Sequence, residues 1–244
     1  MKVVVVENYT ELSRAAARFV AQMVIKNPRL VLALPTGDTP LGLYRELVGL
    51  FREGLLDFSG AQAFNLDEYL GLPPDHPQSF RAYMREHFWS HVNLHAYYIP
   101  DSLPADPQEE CRRYERIMGE AGGLDLAVLG LGKNGHIAFN EPGTPWESLT
   151  HVVDLAEETR REEARRFGGL AHTPKQAITT GIRTIMNARR ILLLVAGPGK
   201  AGILARALRG PITPEVPGSV LQLHPDLTVI ADRAAAAFLL SVKS

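Results

Sequence analysis

The run Gly130-Leu131-Gly132-Lys133-Asn134-Gly135-His136-Ile137-Ala138-Phe139-Asn140-Glu141-Pro142 places an imidazole and a carboxylate five residues apart. Partners on one helical face sit three or four residues apart, so this spacing suits a shared loop instead. The apolar run 124–129 just before it reads as a buried strand. Glycines at the end of such a strand let backbone approach a ligand closely. Imidazole and carboxylate beside exposed N–H groups can move protons on a polar small molecule. The segment is expected to be an active-site loop.

Such a loop needs a scaffold, and the hydrophobic pattern supplies one. Strands are expected at 3–6, 30–34, 61–66, 124–129, 152–155, 190–196 and 227–231. Helices are expected at 12–25, 41–51, 79–90, 107–120, 157–166, 175–186 and 201–208, the first opened by a capping box from Asn8 to Glu11. Continuous Val/Ile/Leu strands alternating with helices predict an open, mostly parallel, doubly wound α/β sheet with helices on both faces. With 244 residues, 45% hydrophobic, and no linker or repeat, one domain spanning 1–244 is expected. A net charge of −1 gives no reason to propose nucleic acid or membrane as a partner. One cysteine, Cys111, suits a reducing cytoplasm, and the apolar start turns polar at Glu7, too early for a signal peptide or span.

Open parallel sheets bind ligands beyond the carboxyl ends of their strands, so the residues there matter most. After 30–34 comes Pro35-Thr36-Gly37-Asp38-Thr39-Pro40, with Thr39 placed to cap a helix and Pro40 to begin it. A helix N-terminus there is either an ordinary cap or a phosphate site. After 61–66 come Asp67 and Glu68, either solvent-facing or functional, and after 190–196 comes Gly197-Pro198-Gly199-Lys200, a turn carrying a cation. Four strand ends thus bring anion donors, a lysine, a carboxylate pair and a histidine together.

Phe64-Asn65-Leu66-Asp67-Glu68-Tyr69-Leu70-Gly71-Leu72-Pro73 and Gly135-His136-Ile137-Ala138-Phe139-Asn140-Glu141-Pro142 closely resemble two segments of the glucosamine-6-phosphate deaminase (isomerase) family. Leu34-Pro35-Thr36-Gly37, Thr39-Pro40-Leu41, His76-Pro77, Ser79, Thr159-Arg160, Lys200 and 221–225 follow in family order, so the resemblance covers nearly the whole chain. The related 6-phosphogluconolactonases keep Gly-His but lose Phe-Asn-Glu-Pro. The resemblance implies conversion of an aminosugar phosphate and water to fructose 6-phosphate and ammonia, without a cofactor or metal. It implies that His136 opens the sugar ring, Glu141 orients that histidine, and Asp67 is the base at the amine-bearing carbon. It assigns the phosphate to Thr36, Gly37, Thr39, Lys200 and Arg165, with Glu68 and Gly132 also at the substrate.

The chain departs from the family pattern in three places. Asn134 stands where some relatives have Asp; an amide can fix a tautomer of the imidazole but cannot balance its charge. Asp38 lies in the phosphate turn, where a carboxylate would repel a phosphate, so its side chain is expected to turn toward a basic neighbour. Val152, Val153 and Asp154 replace the basic and hydroxyl residues of allosteric relatives, and the chain ends soon after its last strand. No activation by a regulatory phosphosugar is therefore expected, whether or not the chain forms a homo-oligomer.

Other functions fit less of the chain. Gly130–Gly135 also matches G-x-G-x-x-G, with Asp154 about twenty residues on, as in a dinucleotide site. Pro142 and Pro145 would break the helix such a motif must open. A sugar-phosphate-sensing regulator would need a DNA-reading helix-turn-helix, and the first element here is a strand. A galactosamine 6-phosphate deaminase or a 6-phosphogluconolactonase would share the phosphate end of the site. The histidines at 76, 87, 91, 95, 151, 172 and 224 show no metal-ligand motif, and His87, His91 and His95 read as a surface stripe.

Overall fold

The computed structural model describes residues 1–240; the last four residues of the expected 1–244 domain lie outside the described residues. In chain order the first elements are β1 Lys2–Val6, α1 Tyr9–Lys26, β2 Val31–Leu34, α2 Asp38–Arg52, β3 Gln62–Asn65, β4 Asp67–Tyr69, α3 Phe80–His87 and β5 Ala96–Tyr98. Then follow α4 Pro107–Glu120, β6 Leu126–Leu129, β7 His151–Asp154, α5 Glu157–Glu163, β8 Gln176–Thr179 and α6 Ile182–Met186. The last are β9 Arg190–Val195, α7 Ala201–Arg209, β10 Leu227–Asp232 and α8 Ala237–Leu240.

Seven strands form one parallel sheet in the order β1-β10-β9-β6-β2-β3-β5. Side chains alternate along each strand, so both faces must be covered. Leu32 and Leu34 pack into one apolar cluster with α1 and α2, while Val31 and Ala33 pack into a second with α4 and α7. All four are at most 3% exposed, which is why β2 reads as an unbroken apolar run.

The order also says where a ligand belongs. From β2 the chain passes to β3 and β5 on one side; from β6, the other neighbour of β2, it passes to β9 and β10 on the opposite side. The topological switch point lies between β2 and β6, and a crevice opens there beyond the strand ends. The 35–40 turn and the glycine-rich loop both leave from this point.

A second, three-stranded antiparallel sheet, β4-β8-β7, stands beside that crevice. It corrects the sequence reading, which makes 175–186 one helix. Lys175, Gln176 and Ala177 favour helix, but Ile178 and Thr179 are β-branched, and with Ala177 they pair between β4 and β7. The helix begins only at Ile182, after Gly181, whose Cα lies against the Ser148 and Leu149 carbonyls with no room for a Cβ. Two further helices are shorter than expected. α3 ends at His87 before a 3-10 turn over Trp89–His91, and α5 ends at Glu163. Strands β4 and β5, three residues each, carry too short a pattern to read.

The start of α1 is capped as expected, but by one side chain. Asn8 Oδ1 accepts from Glu11 N at 3.1 Å, whereas the Glu11 carboxylate turns to Arg14 at 3.1 Å. Asn8→Ala should therefore cost about 1 kcal/mol of unfolding free energy in urea titrations. Glu11→Ala, which loses an exposed pair, should cost under about 0.5 kcal/mol. Equal losses would mean that the reciprocal box forms after all.

Candidate active site

The turn after β2 is built as an anion cradle. Gly37, at φ 102°, is the N-cap of α2, and Asp38 begins the helix. Thr39 is therefore not the cap, nor Pro40 the first helical residue; both lie inside the first turn, because glycine alone adopts this left-handed geometry freely. First-turn N–H groups have no partner within their own helix, and the positive dipole end adds to their pull on an anion. Three tyrosine hydroxyls hold the carbonyls of this turn. Tyr83 donates to Gly37 O at 2.7 Å, Tyr9 to Asp38 O at 2.8 Å, and Tyr44 to Pro35 O.

Across the switch point, the loop after β6 carries the histidine. The ring of His136 lies against Gly132, where an added Cβ would fall 2.4 Å from Nε2. Only glycine at 132 leaves room for the imidazole. Its Nδ1 stands 3.4 Å from Glu141 Oε2, at ion-pair distance. The Asn134 side chain makes its hydrogen bonds elsewhere than to the ring. Its Nδ2 donates to Glu141 Oε2 at 2.7 Å and its Oδ1 accepts from His136 N at 3.1 Å. The amide thus fixes the carboxylate and the backbone, which corrects the expectation that it holds the imidazole tautomer. Burial raises the Glu141 carboxyl, but the adjacent imidazole and the donors around it outweigh that and leave it lowered. Ala138 in this loop has φ 50°, a strained value for a residue with a side chain.

Asp67 and Glu68 separate. Glu68, 1% exposed, accepts from Tyr69 N, Phe80 N and Arg81 N, each at 2.9 Å. It caps α3 and does not line the crevice, so its expected place at the substrate is not where the fold puts it. Burial still pushes its carboxyl up to about 7. Asp67, 6% exposed, faces the crevice, and burial together with the charges of Glu68 and Glu163 pushes it up to about 8. A carboxyl at that value both gives and takes protons near neutrality.

The crevice is a cavity of about 470 Å³ lined by Thr36, Gly37, Thr39, Asp67, Gly132, His136, Arg165 and Lys200. Of the residues expected from sequence, Asn134, Glu141 and Glu68 stand behind this lining. Asp38 is largely exposed and its Oδ1 accepts from Arg166 at 2.7 Å, the turn toward a basic neighbour expected of it. Lys133 pairs with Glu162 at 3.1 Å, so α5 and the residues after it are tied to both loops across the cavity mouth. Burial lowers Lys200, which stands in the 3-10 turn that the Asp232 carboxylate anchors through Gly197 N at 2.9 Å.

Sequence reasoning missed the brace of this site. Thr179 Oγ1 accepts from Phe139 N at 3.0 Å, and Asn140 Nδ2 donates to Thr180 O at 2.9 Å. In register, Thr179 pairs with Asp67. One strand end therefore fixes the acid-bearing strand and the histidine loop together. The β-branched Ile178-Thr179-Thr180 before Gly181 was the available signal.

The chain is similar to known proteins over nearly its whole length. The glucosamine-6-phosphate deaminase of Halothermothrix orenii is 46% identical over 241 residues, covering 98% of this chain and all of that one. A solved structure of a monomeric glucosamine-6-phosphate deaminase is 44% identical, with a TM-score of 0.94 over 98% of this chain and 100% of the other. The 6-phosphogluconolactonase of Trypanosoma brucei, at 21% identity, shares the fold, with a TM-score of 0.75 over 98% of each chain. A sequence model of glucosamine-6-phosphate isomerases and 6-phosphogluconolactonases matches residues 7–229. With that match over nearly the whole length and a cavity assembled from its characteristic segments, the chain belongs to the glucosamine-6-phosphate isomerase/6-phosphogluconolactonase family.

Proposed function

We propose that this protein converts glucosamine 6-phosphate and water to fructose 6-phosphate and ammonia. One observation carries the reading. A single cavity joins a buried carboxyl near neutral pKa, Asp67, to the histidine of a His136–Glu141 pair and to a phosphate-sized cradle with Lys200 and Arg165. A lactone hydrolase has no step that requires a proton to be taken from carbon. An aldose–ketose isomerase does.

In this reading the phosphate binds the N-terminus of α2 and Lys200, where charge-assisted hydrogen bonds are strongest. Arg165 lines the same cavity and has no ion-pair partner among the described residues, so its guanidinium is available to the phosphate. His136 accepts the anomeric hydroxyl proton and returns it to the ring oxygen as the ring C–O bond breaks. Glu141, held by Asn134, compensates the imidazolium formed meanwhile. Asp67 then takes the proton from the amine-bearing carbon, giving an enolamine. Reprotonation at the neighbouring carbon leaves an imine, and water adds to it with release of ammonia. Every step moves a proton or adds water, so no cofactor is invoked.

The direct test is ammonia release from glucosamine 6-phosphate, run beside galactosamine 6-phosphate and 6-phosphogluconolactone. Release from glucosamine 6-phosphate is expected. Lactone hydrolysis with release from neither aminosugar would overturn the reading.

The buried acid makes a second prediction, about stability. The folded pKa of Asp67 is raised, so the folded state holds its proton through a window in which the unfolded chain has lost it. The parent protein loses stability as pH rises from the ordinary carboxylate value, about 4, to about 8. Asp67→Asn removes that ionisation cost, so in urea titrations its stability advantage should grow between pH 5 and pH 8. A difference independent of pH would contradict the raised value.

A further inference from the structure

Of the cavity-wall carboxylates that the mechanism above does not use, Asp38 and Glu162 make close ion pairs with Arg166 and Lys133, whereas Glu163 keeps a buried oxygen without a hydrogen bond. It ends α5 and lines both the main cavity and a smaller one of about 180 Å³, which it shares with Tyr69, Phe80, Arg166 and Phe167. Its Oε2 is buried without a hydrogen-bond partner among the described residues. Arg166 is the cation beside it, yet Nε of that residue stands 3.5 Å away while its Nη2 makes a 2.7 Å bond to Asp38. The Tyr69 hydroxyl, in a residue 1% exposed, also lacks a hydrogen-bond partner and lines the smaller cavity with Glu163. A buried carboxylate and hydroxyl left short of partners mark a place where a ligand supplies them.

The charges of the cavity say which ligand group that is. Lys200 and the α2 N-terminus, beyond the ends of β9 and β2, serve an anion together with Arg165 from the segment after α5. Asp67 opens β4, just beyond β3, and Glu163, in the same cavity wall, is close enough to raise its proton affinity. We propose that Glu163 receives the protonated amine of the aminosugar, and so sets the preference for an amine over a hydroxyl at that carbon. The assignment rests on the deaminase reading, which puts the amine on the carbon that Asp67 deprotonates. An ammonium offers three donors, and Glu163 and Tyr69 have acceptors to spare. Keeping the nitrogen protonated also withdraws electrons from the neighbouring C–H bond and makes it more acidic toward Asp67. Burial raises the Glu163 carboxyl in the free protein, and an ammonium beside it favours the ionised form. Asp38 takes part indirectly, because it draws the short bond of Arg166 away from Glu163.

The test compares two reduced, open-chain probes by calorimetry on the full chain at pH 7: 2-amino-2-deoxyglucitol 6-phosphate and glucitol 6-phosphate. Glu163→Gln should weaken the amine probe at least tenfold, about 1.4 kcal/mol, and leave glucitol 6-phosphate within about twofold. Glu163→Asp should recover part of the loss. An equal loss for both probes would assign Glu163 to holding α5 in place and overturn the proposal, as would an unchanged affinity for the amine. If the parent protein bound neither phosphosugar, the deaminase reading itself would fall, and this assignment with it.

Discussion

A carboxylate buried without a cation at its side is the constraint to which the rest of this site responds. Removing the Asp67 charge from water is costly, and among the described residues no ion pair offsets it. The group answers by keeping its proton up to about pH 8. Its neighbours could have relieved that cost but are engaged elsewhere. Lys133 is held by Glu162, and Arg166 gives its short bond to Asp38. Lys200 and Arg165, which make no ion pair among the described residues, remain for the anionic ligand of the proposed reaction, and the proton affinity of Asp67 stays high.

Holding that arrangement requires the Asp67 strand and the histidine loop to move as one body. The small antiparallel sheet does this. Thr179 stands in register with Asp67 and accepts from the backbone of the histidine loop, while Thr180 holds Asn140. The loop is tight enough to bear a left-handed alanine at 138 and an imidazole pressed on Gly132. Strain of this kind persists only where surrounding structure over-determines it. The side of the cavity formed by α5 is different: exposed ion pairs at Asp38 and Lys133 tie it to the loops, and such pairs contribute little each. Rigid floor and lightly fastened wall suit a site that must admit a charged sugar and then exclude water from it.

Much of this was legible in the sequence because the sheet is parallel. Strands buried on both faces read as unbroken apolar runs, and parallel order places every strand end on one side, so the residues after 34, 66, 129 and 196 group from the sequence alone. Side-chain direction was not legible. Asp67 and Glu68 are adjacent and alike in sequence, yet one faces the cavity and the other caps a helix. That choice depends on β4 pairing with β8, a contact more than a hundred residues away in the chain. The same long-range pairing overrode the helical bias of 175–177. Asn134 lies in the loop as expected, but its amide donates to the Glu141 carboxylate and not to the ring, a choice of partner that spacing along the chain does not encode.

The central claim is that Asp67 and His136 divide the proton transfers between carbon and oxygen. It is tested most directly by following hydrogen–deuterium exchange at the amine-bearing carbon of glucosamine 6-phosphate in deuterated buffer. The parent enzyme should exchange that hydrogen. Asp67→Asn should abolish exchange even though the phosphosugar still binds, whereas His136→Gln should still exchange the small open-chain fraction present in solution. Exchange by Asp67→Asn at close to the parent rate would contradict the account and move the base to another residue.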